Sequence, residues 1–165
     1  METEKILIAE DDVTQCWLLE TYLRQLGYSV QTARDGREAV SIAQTTPCQL
    51  ILMDLNMPIM NGYEATKLIR SFEVSNAAGS VQIIGMGEQN ELDTSRAIGM
   101  SGYLRKPIDR GELQIILNNL DCRILIQKQL DMRSSPNSGS GEGKATAQSI
   151  ALSSSLLRQR NKRTS

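Results

Sequence analysis

The stretch Leu50-Ile51-Leu52-Met53-Asp54-Leu55-Asn56-Met57-Pro58 decides the fold. Four apolar residues in a row read as a short strand buried on both faces, ending on a single carboxylate, Asp54. Pro58 and Gly62 follow, so the chain must turn before another helix begins. An acid at the carboxyl end of a buried parallel strand stands over the crevice where open α/β sheets bind ligands. An aspartate there can also simply cap its loop. Asp54 therefore takes its meaning from the segments around it.

Upstream, Lys5 to Ala9 (KILIA) repeats the buried-strand pattern, and Glu10-Asp11-Asp12 follows at once. Residues 13–26 carry Leu19, Tyr22, Leu23 and Leu26 at helical spacing, with Gly27 as a stop. Tyr28 to Ala33 reads as a second strand, and Gly36 opens a helix that must end before Pro47. Downstream, residues 62–72 predict a helix with Ala65, Leu68, Ile69 and Phe72 on its inner face. Residues 73–80 predict a polar loop. Val81 to Met86 is a fourth strand, about 90 to 99 a fourth helix, and Gly102 to Arg105 a fifth strand. Lys106-Pro107 comes next, and Asp109-x-x-Glu112 reads as a capping box for the last helix.

Five β-α units in alternation imply an α/β fold, a doubly wound parallel sheet with five flanking helices. The flavodoxin-like strand order is 2-1-3-4-5, with its switch point between strands one and three. Those strands end in Glu10-Asp11 and in Asp54, so topology brings the three carboxylates together.

Composition narrows the chemistry. The 165 residues are 40% hydrophobic and 22% charged, as in ordinary globular proteins. With aromatics at only 4%, aliphatic side chains must make the core. Cys16, Cys48 and Cys122 are few and widely spaced, which argues against a disulfide framework or zinc site and fits a reducing cytoplasm. The sequence has no histidine, which excludes a Ser-His-Asp triad, an internal phosphohistidine donor and most catalytic metal sites. The N-terminus does not read as a signal peptide, and no apolar run approaches membrane-spanning length. Trp17 and Tyr22 read as packing residues, and Cys122 as an ordinary thiol.

Three carboxylates in one crevice repel: two unit charges about 4 Å apart cost about 4 kcal/mol at an effective dielectric of 20. A hard divalent cation with oxygen ligands removes that cost, and Mg²⁺ is the one that also takes substrate phosphate oxygens. Lys106, at the end of strand five, is the cation placed to join them. A metal, a lysine and a carboxylate nucleophile describe acyl-phosphate formation.

With these residues in place the chain resembles the receiver domain of two-component response regulators, of the chemotaxis-regulator kind. The matching motifs are Glu10-Asp11, Asp54-x-x-x-Pro58 with Gly62, and Gly102-Tyr103-x-x-Lys106-Pro107, over about residues 4–120. The resemblance implies that Asp54 is the phosphoacceptor and that Asp11, Asp54 and the Asn56 carbonyl bind Mg²⁺, with Glu10 helping through water. It implies a phosphoryl contact from Lys106 and a cis Lys106–Pro107 peptide. The implied donor is a histidine kinase or histidine phosphotransfer protein. No turnover of an external substrate is implied. The surface of the fourth helix, strand five with Tyr103, and the last helix is the family's usual meeting place for partners. It leaves open a homodimer.

One position departs from the family pattern. Strand four should end on a Ser or Thr whose hydroxyl bonds the phosphoryl group, and here that position is Gly87, followed by Glu88. Thr94 and Ser95 lie too far along to substitute. The loss removes a hydrogen bond to a charged group, worth about 1.5–3 kcal/mol, and the lever that would turn Tyr103. The expectation is a receiver that accepts phosphate while its switch is weakened. The alternative is a degenerate receiver that binds partners without phosphorylation. A hydrolase of another aspartyl-phosphate family would want a second acid where Asn56 stands.

The receiver is expected to span residues 1–131, its last helix running past about 121. Residues 132–165 are expected to form a Ser/Gly-rich linker and a basic tail without fixed structure. Residues 1–130 hold 12 Lys/Arg against 17 Asp/Glu, and 131–165 hold 6 against 2. Opposite signs suggest separate units. The tail reads as a solubilising end, with no room for a DNA-binding domain, so nucleic acid is not an expected partner.

Overall fold

Strand β3 (Leu50–Asp54) is buried at all five positions, as a central parallel strand must be. It pairs on one side with β1 (Lys5–Ala9) and on the other with β4 (Gln82–Gly87). β2 (Ser29–Ala33) and β5 (Gly102–Arg105) close the edges, and the five parallel strands run in the order β2-β1-β3-β4-β5. The computed structural model describes residues 5–77, 79–88 and 92–121, all within the unit Met1–Gln127, one of two into which the chain divides.

Alternate residues of each strand face opposite sides of the sheet, and the core divides accordingly. Ile6, Ile8, Leu50, Leu52, Ile84 and Met86 pack under α1 (Val13–Gln25) and under a last helix, α5, which covers residues 110–121. Leu7, Ala9, Ile51, Met53 and Ile83 pack under α2 (Gly36–Thr45) and α3 (Gly62–Ser75). Burying each large aliphatic side chain contributes about 1.5–3 kcal/mol. A single shift of register would reverse both faces.

Local chemistry starts each helix. Asp12, Asp35 and Asp109 accept hydrogen bonds from the amides of Gln15, Glu38 and Glu112. Asn61 and Glu64 form a reciprocal capping box at α3. The sequence reading missed that box, although Asn61-x-x-Glu64 spells it.

Several expectations need correction. α3 runs on through residues 73–75, which read as loop. The cause is Glu73: it pairs with Arg70 at 2.7 Å and accepts the Val81 amide at 2.8 Å, so a buried charge is satisfied from inside the helix. Leu68 faces solvent, while Thr66, bonded to the Gly62 carbonyl, takes the inner position. β4 spans Gln82–Gly87, so Gly87 is its last residue, and α4 is short, Leu92–Ala97. Trp17 is 61% exposed and is not a packing residue, because Leu19 and Leu23 occupy the inner stripe of α1. Tyr22 is half-buried, donates to Gln114 at 3.0 Å and stacks beneath Arg110. The readings of residues 122–131, Cys122, the linker and the basic tail lie outside the described residues.

Candidate functional site

The register of the sheet assembles the site. Ala9 pairs with Met53 and Asp54 with Met86, so Glu10 follows β1 at the level of Asp54. Gly87 pairs with Arg105, which brings Lys106 in from the far edge. The Lys106 amide donates to the Gly87 carbonyl at 2.7 Å, and the Lys106–Pro107 peptide is cis.

Lys106 lies between two buried acids. Its Nζ is 2.8 Å from Asp54 Oδ2 and 2.8 Å from Glu10 Oε2. Asp54 Oδ1 accepts the Asn56 amide at 3.0 Å, and Glu10 Oε1 accepts the Asp12 amide at 3.3 Å. Burial pushes Glu10 up to about 7, against the lowering pull of Lys106, with the charge of Asp54 adding to the rise. Burial pulls Lys106 down, but the hydrogen bonds and charges of Asp54 and Glu10 outweigh it and hold the ammonium above its ordinary value.

Asp11 is exposed and completes the acidic group. One carboxylate oxygen each from Glu10, Asp11 and Asp54 lies within 4.8 Å of the others. An all-oxygen donor set on two buried acids and one open to solvent suits a hard divalent cation that keeps waters. The backbone reinforces this placement. The Gly62 amide donates to the Leu55 carbonyl, and a Cβ on Gly62 would come within 2.2 Å of the Asp54 carbonyl oxygen. Only glycine lets α3 start this close to Asp54.

The other expected positions are nearby but differ in kind. Gly87 is buried at the end of β4 and offers no side chain, and Glu88 beside it is exposed. Ser95 is fully buried on α4, its hydroxyl without a partner, and Thr94 is exposed. Tyr103 packs against the core beneath α2 and α3. Cys16 and Cys48 are free thiols, both pushed up by burial, which suits packed thiols better than reactive ones. Among the described residues no helix is long and apolar enough to cross a membrane. A feature missed in the sequence is Ile59, five residues beyond Asp54, which is exposed and has a positive φ. No sequence signal marks it except its place between Pro58 and Gly62.

Comparison with known proteins agrees with this geometry. The profile of the response regulator receiver domain matches residues 6–118. The response regulator SSK1 of Arthrobotrys oligospora is 41% identical over 96 residues, which are 58% of this chain and 9% of the relative. The transcription factor SKN7 of Saccharomyces cerevisiae is 34% identical over 145 residues, 86% of this chain and 23% of the relative. The chain thus spans less than a quarter of these curated relatives. Among solved structures, the receiver domain of Saccharomyces cerevisiae Ssk1, crystallised with the histidine phosphotransfer protein Ypd1, superposes with a TM-score of 0.70. It is 31% identical, and the match covers 73% of this chain and 90% of that one. The receiver domain of the Pseudomonas aeruginosa sensor histidine kinase PA1611, with a magnesium ion coordinated in its active-site cleft, gives 0.63 at 38% identity over 72% and 97%. A five-stranded parallel sheet of this order, three acids and a lysine at its carboxyl edge, and a profile match over most of the chain lead to one conclusion: the chain belongs to the response regulator receiver domain family.

Proposed function

We propose that this receiver takes a phosphoryl group from a phosphohistidine onto Asp54. The observation that carries the reading is the position of Lys106, at 2.8 Å from both Asp54 and Glu10. A half-buried ammonium shared by two carboxylates is poised to follow charge from the acid to an incoming phosphoryl group. The Asp54 carboxylate attacks phosphorus as the P–N bond breaks. The bonding pair leaves on the imidazole nitrogen, which takes up a proton. Lys106 stabilises the negative charge spread over the transferring oxygens.

Asp11, Asp54 and the Asn56 carbonyl, with Glu10 through a water, are the groups that would hold Mg²⁺. The ion would neutralise phosphoryl oxygens and relieve repulsion among the acids. The Asn56 amide keeps Asp54 oriented, and burial keeps competing water away from it. The chain then serves as an acceptor in a cytoplasmic relay rather than as a turnover enzyme, and its donor is a histidine kinase or histidine phosphotransfer protein. Gly87 leaves the phosphoryl group without a hydroxyl on the β4 side, so its coupling to Tyr103 is weak.

Intact-mass measurement with Mg²⁺ and a small-molecule phosphodonor tests the reading. One phosphoryl group should be gained, and none in Asp54→Asn. A folded protein that stays unlabelled, and binds no beryllofluoride, would instead be a binding module independent of phosphorylation.

A further inference from the structure

Resting on the reading of Asp54 as an acceptor, we propose that Arg105 reaches across Gly87 and binds the phosphoryl group on Asp54, replacing the contact that a hydroxyl at position 87 would make. Gly87 and Arg105 are register partners at the carboxyl ends of β4 and β5. Asp54 pairs with Met86, so Gly87 stands one residue beyond the acid on the neighbouring strand.

Alternation along the strands puts Gly87 and Arg105 on the same face of the sheet. Tyr103 packs with the core under α2 and α3, and Arg105 lies two residues further along β5. A Cβ on Gly85 would meet Leu55 and Met100 of that same core, and Gly87 lies two residues further along β4. On this face position 87 puts no side chain between Arg105 and the end of β3.

The span is one that this strand end already bridges. β5 lies two strand spacings from β3, roughly 10 Å. Lys106 crosses that gap to bring its Nζ to 2.8 Å from Asp54 Oδ2. Arginine is the longer side chain, and a phosphoryl group extends beyond the carboxylate that carries it. Arg105 is also available. Arg24 and Arg70 are held by Glu20 and Glu73, whereas the exposed Arg105 has no ion-pair partner among the described residues. Its planar fork offers paired donors that match phosphate oxygens, where a hydroxyl offers one. The contact comes from β5, so the phosphoryl group is held without a pull on the end of β4.

Titration of the whole chain with beryllofluoride at saturating Mg²⁺, beside titration with Mg²⁺ alone, tests the contact. Arg105→Gln should weaken beryllofluoride binding about tenfold or more, as expected for a lost hydrogen bond to a charged group, and leave Mg²⁺ binding within about twofold. Arg110→Gln removes an equal charge at the start of α5, over Tyr22, and should leave both within about twofold. Unchanged beryllofluoride binding in Arg105→Gln overturns the contact. Equal weakening by the two substitutions also overturns it, because net charge would then be the cause. So does a parallel loss of Mg²⁺ binding in Arg105→Gln, which would make Arg105 a support for the acids. Wild type that binds no beryllofluoride overturns the acceptor reading itself.

Discussion

The two flanks of Asp54 are built differently. The ends of β1 and β5 bring it charge: Lys106 at 2.8 Å, which in turn holds Glu10 at 2.8 Å. β4, the strand between β3 and β5, ends on Gly87, which offers only main chain. One wall of the cleft thus carries charge, and the other is bare of any side chain at Gly87, where the family pattern has a Ser or Thr.

The largest break in this contrast is Lys106→Ala. Removing one partner of a buried charge cluster typically costs about 3–5 kcal/mol, and the metal-free protein should lose about 10 °C or more in Tm. Calorimetry with and without Mg²⁺ reads it. Partial recovery with Mg²⁺ would show that the loss comes from uncompensated acids. The next test builds up the weak wall. Gly87→Thr should tighten beryllofluoride binding about tenfold or more, the equivalent of about 1.5–3 kcal/mol for one hydrogen bond to a charged group. Equal affinity would mean that the charged flank alone holds the phosphoryl group.

The last effect is in pH. Glu10 is pushed up to about 7 in the fold from an ordinary value of 4.5. Between those values the folded chain keeps a proton that the unfolded chain releases, so stability should fall as pH rises from about 4.5 to about 7 and level off above. Thermal melts in chelator should show that slope, and Glu10→Gln should flatten it.

Much of this was legible in sequence. The unbroken apolar runs of β1 and β3 could only be central parallel strands, and strand order then brought Glu10, Asp11 and Asp54 together. Gly87 was legible as a departure only against the family pattern, in which strand four ends on a Ser or Thr. What failed were patterns decided by tertiary partners. Residues 73–75 look like a polar loop until Glu73 is seen bonded to Arg70 and to the Val81 amide. Trp17 looks like core until Leu19 and Leu23 are seen to fill the inner stripe. Ile59 was invisible, because no pattern of residue types reports a positive φ that neighbours impose.

Gly62 makes the start of α3 a gauge. The helix begins against the Asp54 carbonyl, too close for even a methyl group, and its first amide is bonded to the Leu55 carbonyl. No slack separates the acid from the helix. A displacement of the Asp54 main chain would be carried into α3, so the amide signals of that helix are a readout of the acid's position that needs no hydroxyl relay.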